Sequence, residues 1–286
     1  MKKTVQTFRH RKEKHKKISM VTAYDYSTAK IVDEADIDGI LVGDSLGMVC
    51  LGHTNTLQVT MEDMIHHAKA ASNGTKNALL VVDMPFMSYQ TSAYDAVVNA
   101  GRLVQEGHAE AIKMEGGEEI VDQIKACVKA QIPVMGHLGL TPQSIHSFGG
   151  YKIQGKTLHA CQKMNHDATL LEEAGVFAIV LECIPSELAQ MISEKLSIPT
   201  IGIGAGVHCD GQILVFHDMF GLYSEMSPSF AKMYENSGSL MKTKIHQYIQ
   251  EVQKGIFPSK ENSFPMDSSL LKQMQSDHLE ASKGEK

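Results

Sequence analysis

Eight short apolar runs rich in branched residues recur along the chain, and each gives way to a stretch with helical spacing. They predict strands at 18–25 (ISMVTAYD), 39–45 (GILVGDS), 78–85 (ALLVVDMP) and 111–116 (AIKMEG). Four more follow at 132–139 (IPVMGHLG), 177–183 (FAIVLEC), 198–206 (IPTIGIGAG) and 213–220 (ILVFHDMF). Runs that are apolar on both faces suit parallel strands covered by helices. Between them, 93–107 places Ala, Val and Leu at helical spacing and ends at Gly107. The stretch 186–197 reads as a helix with Ser186 as N-cap and Pro199 just past its end. Eight strand–helix alternations predict an α/β fold, a closed (β/α)8 barrel. An open doubly wound sheet is the other reading, but the chain lacks GxGxxG after its first strand.

Composition narrows the setting. A chain of 286 residues, 43% hydrophobic and 21% charged, suits a globular protein with one large core. A single barrel domain is expected over 1–257, with a basic N-terminal segment. The remainder, 258–286, is rich in Ser, Lys and Glu, carries Pro258 and Pro265, and is expected to be a poorly ordered tail. A net charge of -6 argues against a nucleic-acid partner. The basic run Arg9–Lys17 has two readings, a nucleic-acid arm or a solvated arm or first helix. There is no Trp, and aromatics are 6%, so stacking platforms for polymers are scarce. The five cysteines are scattered without a CxxC pair, as in a reduced cytosolic protein. No signal sequence or membrane-spanning stretch is evident, so a cytoplasmic, soluble protein with no membrane partner is expected.

The polar residues inside the strand runs gather at their carboxyl ends. Asp44 and Ser45 end the second run, Asp83 the third, and Lys113 and Glu115 the fourth; His137 and Glu182 end the fifth and sixth. In a barrel these ends converge on the face that carries the active site. Each acid alone could cap the following helix. Four carboxylates together in a semi-enclosed pocket would repel and desolvate at high cost unless a cation balances them. All-oxygen ligation suits Mg²⁺, with Asp44 and Asp83 as direct ligands and Glu115 directly or one step removed. Alternation along the strand places Lys113 and Glu115 on the same, inward side. Lys113 there either holds a substrate carboxylate or pairs with Glu115. For His137 a metal ligand, a proton carrier, an oxyanion donor and a satisfied core histidine all stand open. Glu182, flanked by Leu181 and Cys183, reads as the general base, because an apolar setting raises a carboxylate pKa.

Weaker signals remain. The glycines of GIGAG (202–206) read either as a phosphate site after the seventh strand or as room for close approach of a substrate or loop. His53, His66, His67, His146 and His166 have no evident ligand partner and read as surface or packing residues.

At these motifs the sequence resembles the ketopantoate hydroxymethyltransferase family. TAYDYSTAKI, LVGDSLGMV, GHTNTLQVT, VVDMPFMSY, IKMEGG, GHLGLTPQS, FGGYKIQG, LECIP, IPTIGIGAG and CDGQILVFHDMFG carry the likeness from about Thr22 to Gly221. The basic N-terminus, Lys156–Asn165 and the tail match less well. The resemblance implies a Mg²⁺-dependent keto-acid barrel that condenses 3-methyl-2-oxobutanoate with the one-carbon unit of 5,10-methylenetetrahydrofolate, making ketopantoate for pantothenate and coenzyme A. It implies Asp44 and Asp83 as Mg²⁺ ligands completed by Glu115. Ser45 and Lys113 would hold the keto-acid carboxylate, Glu182 would be the base, and His137 would lie near the substrate. It also implies a homo-oligomer, a decamer. Three rivals are weighed against it: a phosphoenolpyruvate mutase or isocitrate lyase type of barrel with a reactive cysteine, a non-catalytic keto-acid binder, and a sugar-phosphate isomerase using GIGAG.

Overall fold

A computed structural model describes residues 1–223 and 228–281, with side chains described to residue 276 in the last helix. The chain opens with α1 (Val5–Glu13), then β1 (Ile18–Thr22), α2 (Tyr26–Glu34), β2 (Gly39–Val42), α3 (Leu46–Val49) and α4 (Met61–Gly74). It continues through β3 (Leu79–Asp83), α5 (Ala93–Gln105), β4 (Ala111–Glu115), α6 (Val121–Lys129), β5 (Val134–Gly139) and α7 (Ile145–Phe148). Next come α8 (Leu158–Ala174), β6 (Ala178–Glu182), α9 (Ser186–Lys195), β7 (Thr200–Ile203), β8 (Gly211–Leu214) and α10 (Phe216–Met219). Two helices close the chain, α11 (Ser237–Gln253) and α12 (Ser268–Ala281).

The eight strands are parallel and close in sequence order, β1 to β8 and back to β1. This is the (β/α)8 barrel that the alternating pattern predicts. Two apolar layers follow from the pleat. One lies between strands and helices and includes Ile40, Val42, Leu80, Val82, Ile112 and Ile179. The other fills the barrel and includes Met20, Leu41, Val81, Met135, Val180 and Ile201. Local chemistry sets the helix ends. Thr60 and Asp63 form a reciprocal capping box at α4, and Gly175 ends α8 in the left-handed region at φ 97°.

The floor of the barrel is shut by α1. Phe8 is fully buried against Phe177, ring centroids 5.9 Å apart, edge to face. Lys3 pairs with Asp36 at 2.6 Å, Arg11 with Asp38, and Lys12 with Asp210 at 2.8 Å. The front of the basic run is therefore a first helix whose charges meet carboxylates at the amino ends of strands.

Several boundaries differ from the sequence reading. All but β5 end earlier than the sequence reading put them. Asp44 and Ser45 lie beyond β2, on the turn into α3. The eighth strand begins earlier and stops at Leu214, because Phe216–Met219 turns helical. An unbroken apolar run does not show where strand gives way to helix. At α9 the N-cap is Pro185, not Ser186; its ring fixes φ at -54° and the helix starts directly after it.

The chain divides into two compact units, 1–235 and 236–286. The boundary falls within the span 1–257 expected as one domain. The second unit holds α11 and α12, and 282–286, the end of the expected tail, lie outside the described residues. No helix among the described residues is long and apolar enough to cross a membrane.

Candidate active site

A cavity of about 360 Å³ opens at the carboxyl ends of the strands. Asp44, Ser45, Asp83, Lys113, Glu115, His137 and Glu182 all line it. The strand register brings them together: Asp83 is level with Lys113, Glu115 with His137, and Gly139 with Glu182. Lys113 and Glu115, two apart on β4, face the same way into the cavity.

The charged groups form a chain of contacts. The backbone N–H of Asp44 donates to Asp83 Oδ2 at 3.0 Å. Lys113 Nζ lies 2.6 Å from Asp83 Oδ1 and 3.8 Å from Glu115 Oε1. The first is a short ammonium–carboxylate ion pair. His137 Nδ1 is 3.1 Å from Glu115 Oε1, and its Nε2 is 3.3 Å from Glu182 Oε2. Tyr24 and Ser45 share a hydrogen bond between hydroxyls at 2.8 Å.

Asp44, Asp83, Lys113 and His137 are each at most 4% exposed, and Glu115 is 7% exposed, so water does little to screen them. Burial, then Glu115 and Asp83, push the Asp44 carboxyl well above its usual range. Burial also raises Asp83, with Lys113 pulling the other way. For Glu115 burial is outweighed by His137 and Lys113, and its pKa falls. Burial and Lys113 oppose the charge on His137, yet Glu115 and Glu182 win and lift it to about 9. Lys113 stays charged for the same reason: the carboxylates of Asp83, Glu115 and Asp44 overcome its burial. Four carboxylates thus face two cations, and the unbalanced negative charge falls most heavily on Asp44.

Asp44, Asp83 and Glu115 offer the oxygen donors that could hold a hard divalent cation. Among the described residues no three His, Cys, Asp or Glu side chains have their donors converged on one point. Lys113 occupies the flank of Asp83.

Sequence reasoning missed a second layer. Gln143, 6% exposed, donates from Nε2 to Asp44 Oδ2 and to the Met84 carbonyl, both at 2.9 Å. Its backbone N–H donates to Glu115 Oε2 at 3.0 Å. Its Oε1 faces Tyr89 Oη at 2.9 Å and Gln90 Nε2 at 3.1 Å. The Tyr89 hydroxyl also accepts from the Glu115 backbone N–H at 3.0 Å. A glutamine after a proline in a loop carries no signal of its own; only the fold aims it inward.

Other candidates resolve differently. Added side chains at Gly204 and Gly206 would meet Phe230 and Ser186 at 2.9 and 2.6 Å, so these glycines admit neighbouring parts of the protein. His67 Nδ1 sits 2.7 Å from the Tyr24 carbonyl, a packing contact. Cys50 does not line the cavity, and Cys183, which does, has its thiol pushed up to about 12 by burial. Neither is an activated thiol.

The sequence profile of ketopantoate hydroxymethyltransferase matches residues 2–260. A 3-methyl-2-oxobutanoate hydroxymethyltransferase of Clostridium novyi (strain NT) is 63% identical over 271 residues, 95% of this chain and 98% of that protein. A relative of the same name from Enterococcus faecalis (strain ATCC 700802 / V583) is 58% identical over 96% of this chain and all of that one. Among solved structures, a phosphonopyruvate hydrolase in complex with oxalate and Mg++ superposes with a TM-score of 0.60 at 12% identity, covering 99% of this chain and 98% of that one. A 2,3-dimethylmalate lyase of the PEP mutase/isocitrate lyase superfamily gives 0.59 at 16% identity, covering 99% of both chains. The distant structures share the barrel. The near relatives match almost the full length, the site included in that span, and by them this chain belongs to the ketopantoate hydroxymethyltransferase family.

Proposed function

We propose that this cavity condenses 3-methyl-2-oxobutanoate with the one-carbon unit of 5,10-methylenetetrahydrofolate to give ketopantoate, on the route to pantothenate and coenzyme A. The observation that carries the reading is the meeting of four carboxylates, a buried lysine and a charged imidazole in one cavity. Asp44 and Asp83, completed by Glu115, would hold Mg²⁺; their oxygen donors and the surplus of negative charge around Asp44 fit a hard cation. When bound, Mg²⁺ supplies Lewis-acid stabilisation of the charge that develops on the keto oxygen.

The chain's own residues do the rest. Lys113 and Ser45 bind the substrate carboxylate, with the ammonium kept charged by the acids around it. Glu182 removes the proton from C3, the tertiary carbon beside the ketone. His137 lies 3.1 Å from Glu115 and 3.3 Å from Glu182, and its positive charge draws the Glu182 carboxylate toward it. Apolar walls at Leu41, Val180 and Ile203 keep water from the enolate until it attacks the one-carbon unit. A cytoplasmic homo-oligomer, a decamer, belongs to the same reading. The free cysteines support the compartment. The exposed Leu240, Ile245, Tyr248, Ile249 and Val252 along α11 support an apolar contact with another copy.

The test follows the C3 proton of 3-methyl-2-oxobutanoate by NMR in D₂O, with and without Mg²⁺, and adds methylenetetrahydrofolate afterwards. Metal-dependent exchange followed by ketopantoate is the expected result. Glu182→Gln should slow exchange by about 10²–10⁴-fold while still binding the keto acid. Exchange at the wild-type rate in that variant removes Glu182 from the base role. No exchange in the wild-type protein removes the reaction.

A further inference from the structure

The acid–base cluster comes from β2 to β6 and the turns that follow them. Across the rim, after β8, a further carboxylate lines the same cavity: Asp218 on α10. It is half-buried, and no hydrogen bond or ion pair among the described residues reaches its side chain. Burial alone acts on it, pushing its pKa to about 6. A carboxylate held out of water without a donor is costly, and such groups in pockets mark where a ligand donates. The walls around it are apolar: Leu214, Val215, Pro228 and Phe230. Phe230 is pressed onto Gly204, where an added Cβ would lie 2.9 Å from its ring.

A five-carbon keto acid held by the polar floor, as in the reading above, would leave this side free. At about 360 Å³ the cavity is in the range that encloses ligands several times larger. Apolar walls around a lone half-buried carboxylate suit a group that is largely apolar on its faces and carries adjacent N–H donors on one edge. A pterin has that shape: its ring N3–H and 2-amino group present two parallel donors, the complement of one carboxylate.

We infer that Asp218 is the recognition residue for the pterin edge of the one-carbon donor, seated between the β8 rim and Phe230. This rests on the folate-dependent reading above and adds to it the residue that selects the donor. Asp218 takes no part in enolisation; it orients the carrier so that its one-carbon unit faces the enolate.

The experiment measures binding of tetrahydrofolate, and of its 2-desamino-2-methyl analogue, to enzyme loaded with Mg²⁺ and keto acid. Calorimetry is run on the wild type and on Asp218→Asn, with C3 proton exchange recorded for both. The asparagine keeps the size but turns one acceptor into a donor facing the 2-amino group. Expected is a loss of about 10- to 100-fold in tetrahydrofolate affinity for Asp218→Asn with exchange retained. The wild type should prefer tetrahydrofolate over the analogue, and the variant should not. Equal affinity in the two proteins, or a wild type indifferent to the 2-amino group, overturns the assignment. If the wild type neither exchanges the proton nor binds tetrahydrofolate, the folate-dependent reading falls and this inference with it. Exchange with undiminished binding in Asp218→Asn removes Asp218 alone.

Discussion

Gln143 spends its whole amide on the site. Both Nε2 protons are committed, one to Asp44 Oδ2 and one to the Met84 carbonyl, while Oε1 is met by Tyr89 and Gln90. Because the Met84 carbonyl can only accept, the amide has one orientation. It therefore fixes which oxygen of Asp44 remains free. Its backbone N–H does the same for Glu115 by engaging Oε2. Gln143→Met keeps the volume and the backbone bond but removes the donor to Asp44. We expect Mg²⁺ affinity, read from the metal dependence of C3 proton exchange, to weaken by about 10- to 100-fold. Unchanged metal affinity would make Gln143 a packing residue. The contrast with the acids it serves shows what the sequence discloses at this scale. Asp44, Asp83, Lys113, Glu115, His137 and Glu182 were visible because charge is out of place beside apolar strands. Gln143, Tyr89 and Asp218 sit in loops or a short helical turn, where polar and aromatic residues are ordinary. Only closure of the barrel aims them inward.

Glu182 owes its position to the way β5 and β6 end. Gly139 has φ 99°, and a Cβ there would lie 2.1 Å from the Glu182 carbonyl oxygen, so only glycine fits. The following Leu140 N–H donates to that same carbonyl at 2.9 Å. Directly after Glu182, Cys183 takes φ 48°, a conformation costly for a residue with a side chain, and its carbonyl is held by the Gln154 N–H at 2.9 Å. The strand end is thus clamped from both sides. Gly139→Ala should cost about 1–3 kcal/mol from backbone strain. By shifting Glu182 it should also slow proton exchange by about 100-fold, the scale of an ångström misplacement. A folded variant with wild-type exchange would show that the clamp does not govern the position of Glu182. At the level of elements the eight strands and most helices were legible, since period and length separate long elements well. The errors fell where an apolar run changes conformation without changing character, as at Val215–Phe220, and where proline rather than serine opens α9.

Across the whole molecule, chemistry and stability occupy opposite ends of one barrel. The carboxyl end concentrates charge that opposes folding, with Asp44 and Asp83 both pushed upward by burial. The amino end compensates with an apolar plug and ion pairs of opposite sign. Phe8 fills the floor against Phe177 and Met20, while Lys3, Arg11 and Lys12 meet Asp36, Asp38 and Asp210. In each pair at least one partner is largely buried, so the ion pairs act together with Phe8 to hold the plug. Sequence leaves the basic N-terminal run open between a nucleic-acid arm and a first helix because it shows the charge but not the acids waiting at the strand ends. Phe8→Ala should destabilise the fold by about 3–5 kcal/mol, measured by urea denaturation, because the ring is enclosed on all sides and the closed floor has little room to collapse. Proton exchange per folded molecule, measured well below the transition, should stay at the wild-type rate, since Phe8 is not among the residues that line the cavity. Exchange that falls in step with stability before unfolding begins would mean the two ends are coupled, and that α1 helps set the geometry of the site rather than only closing the barrel beneath it.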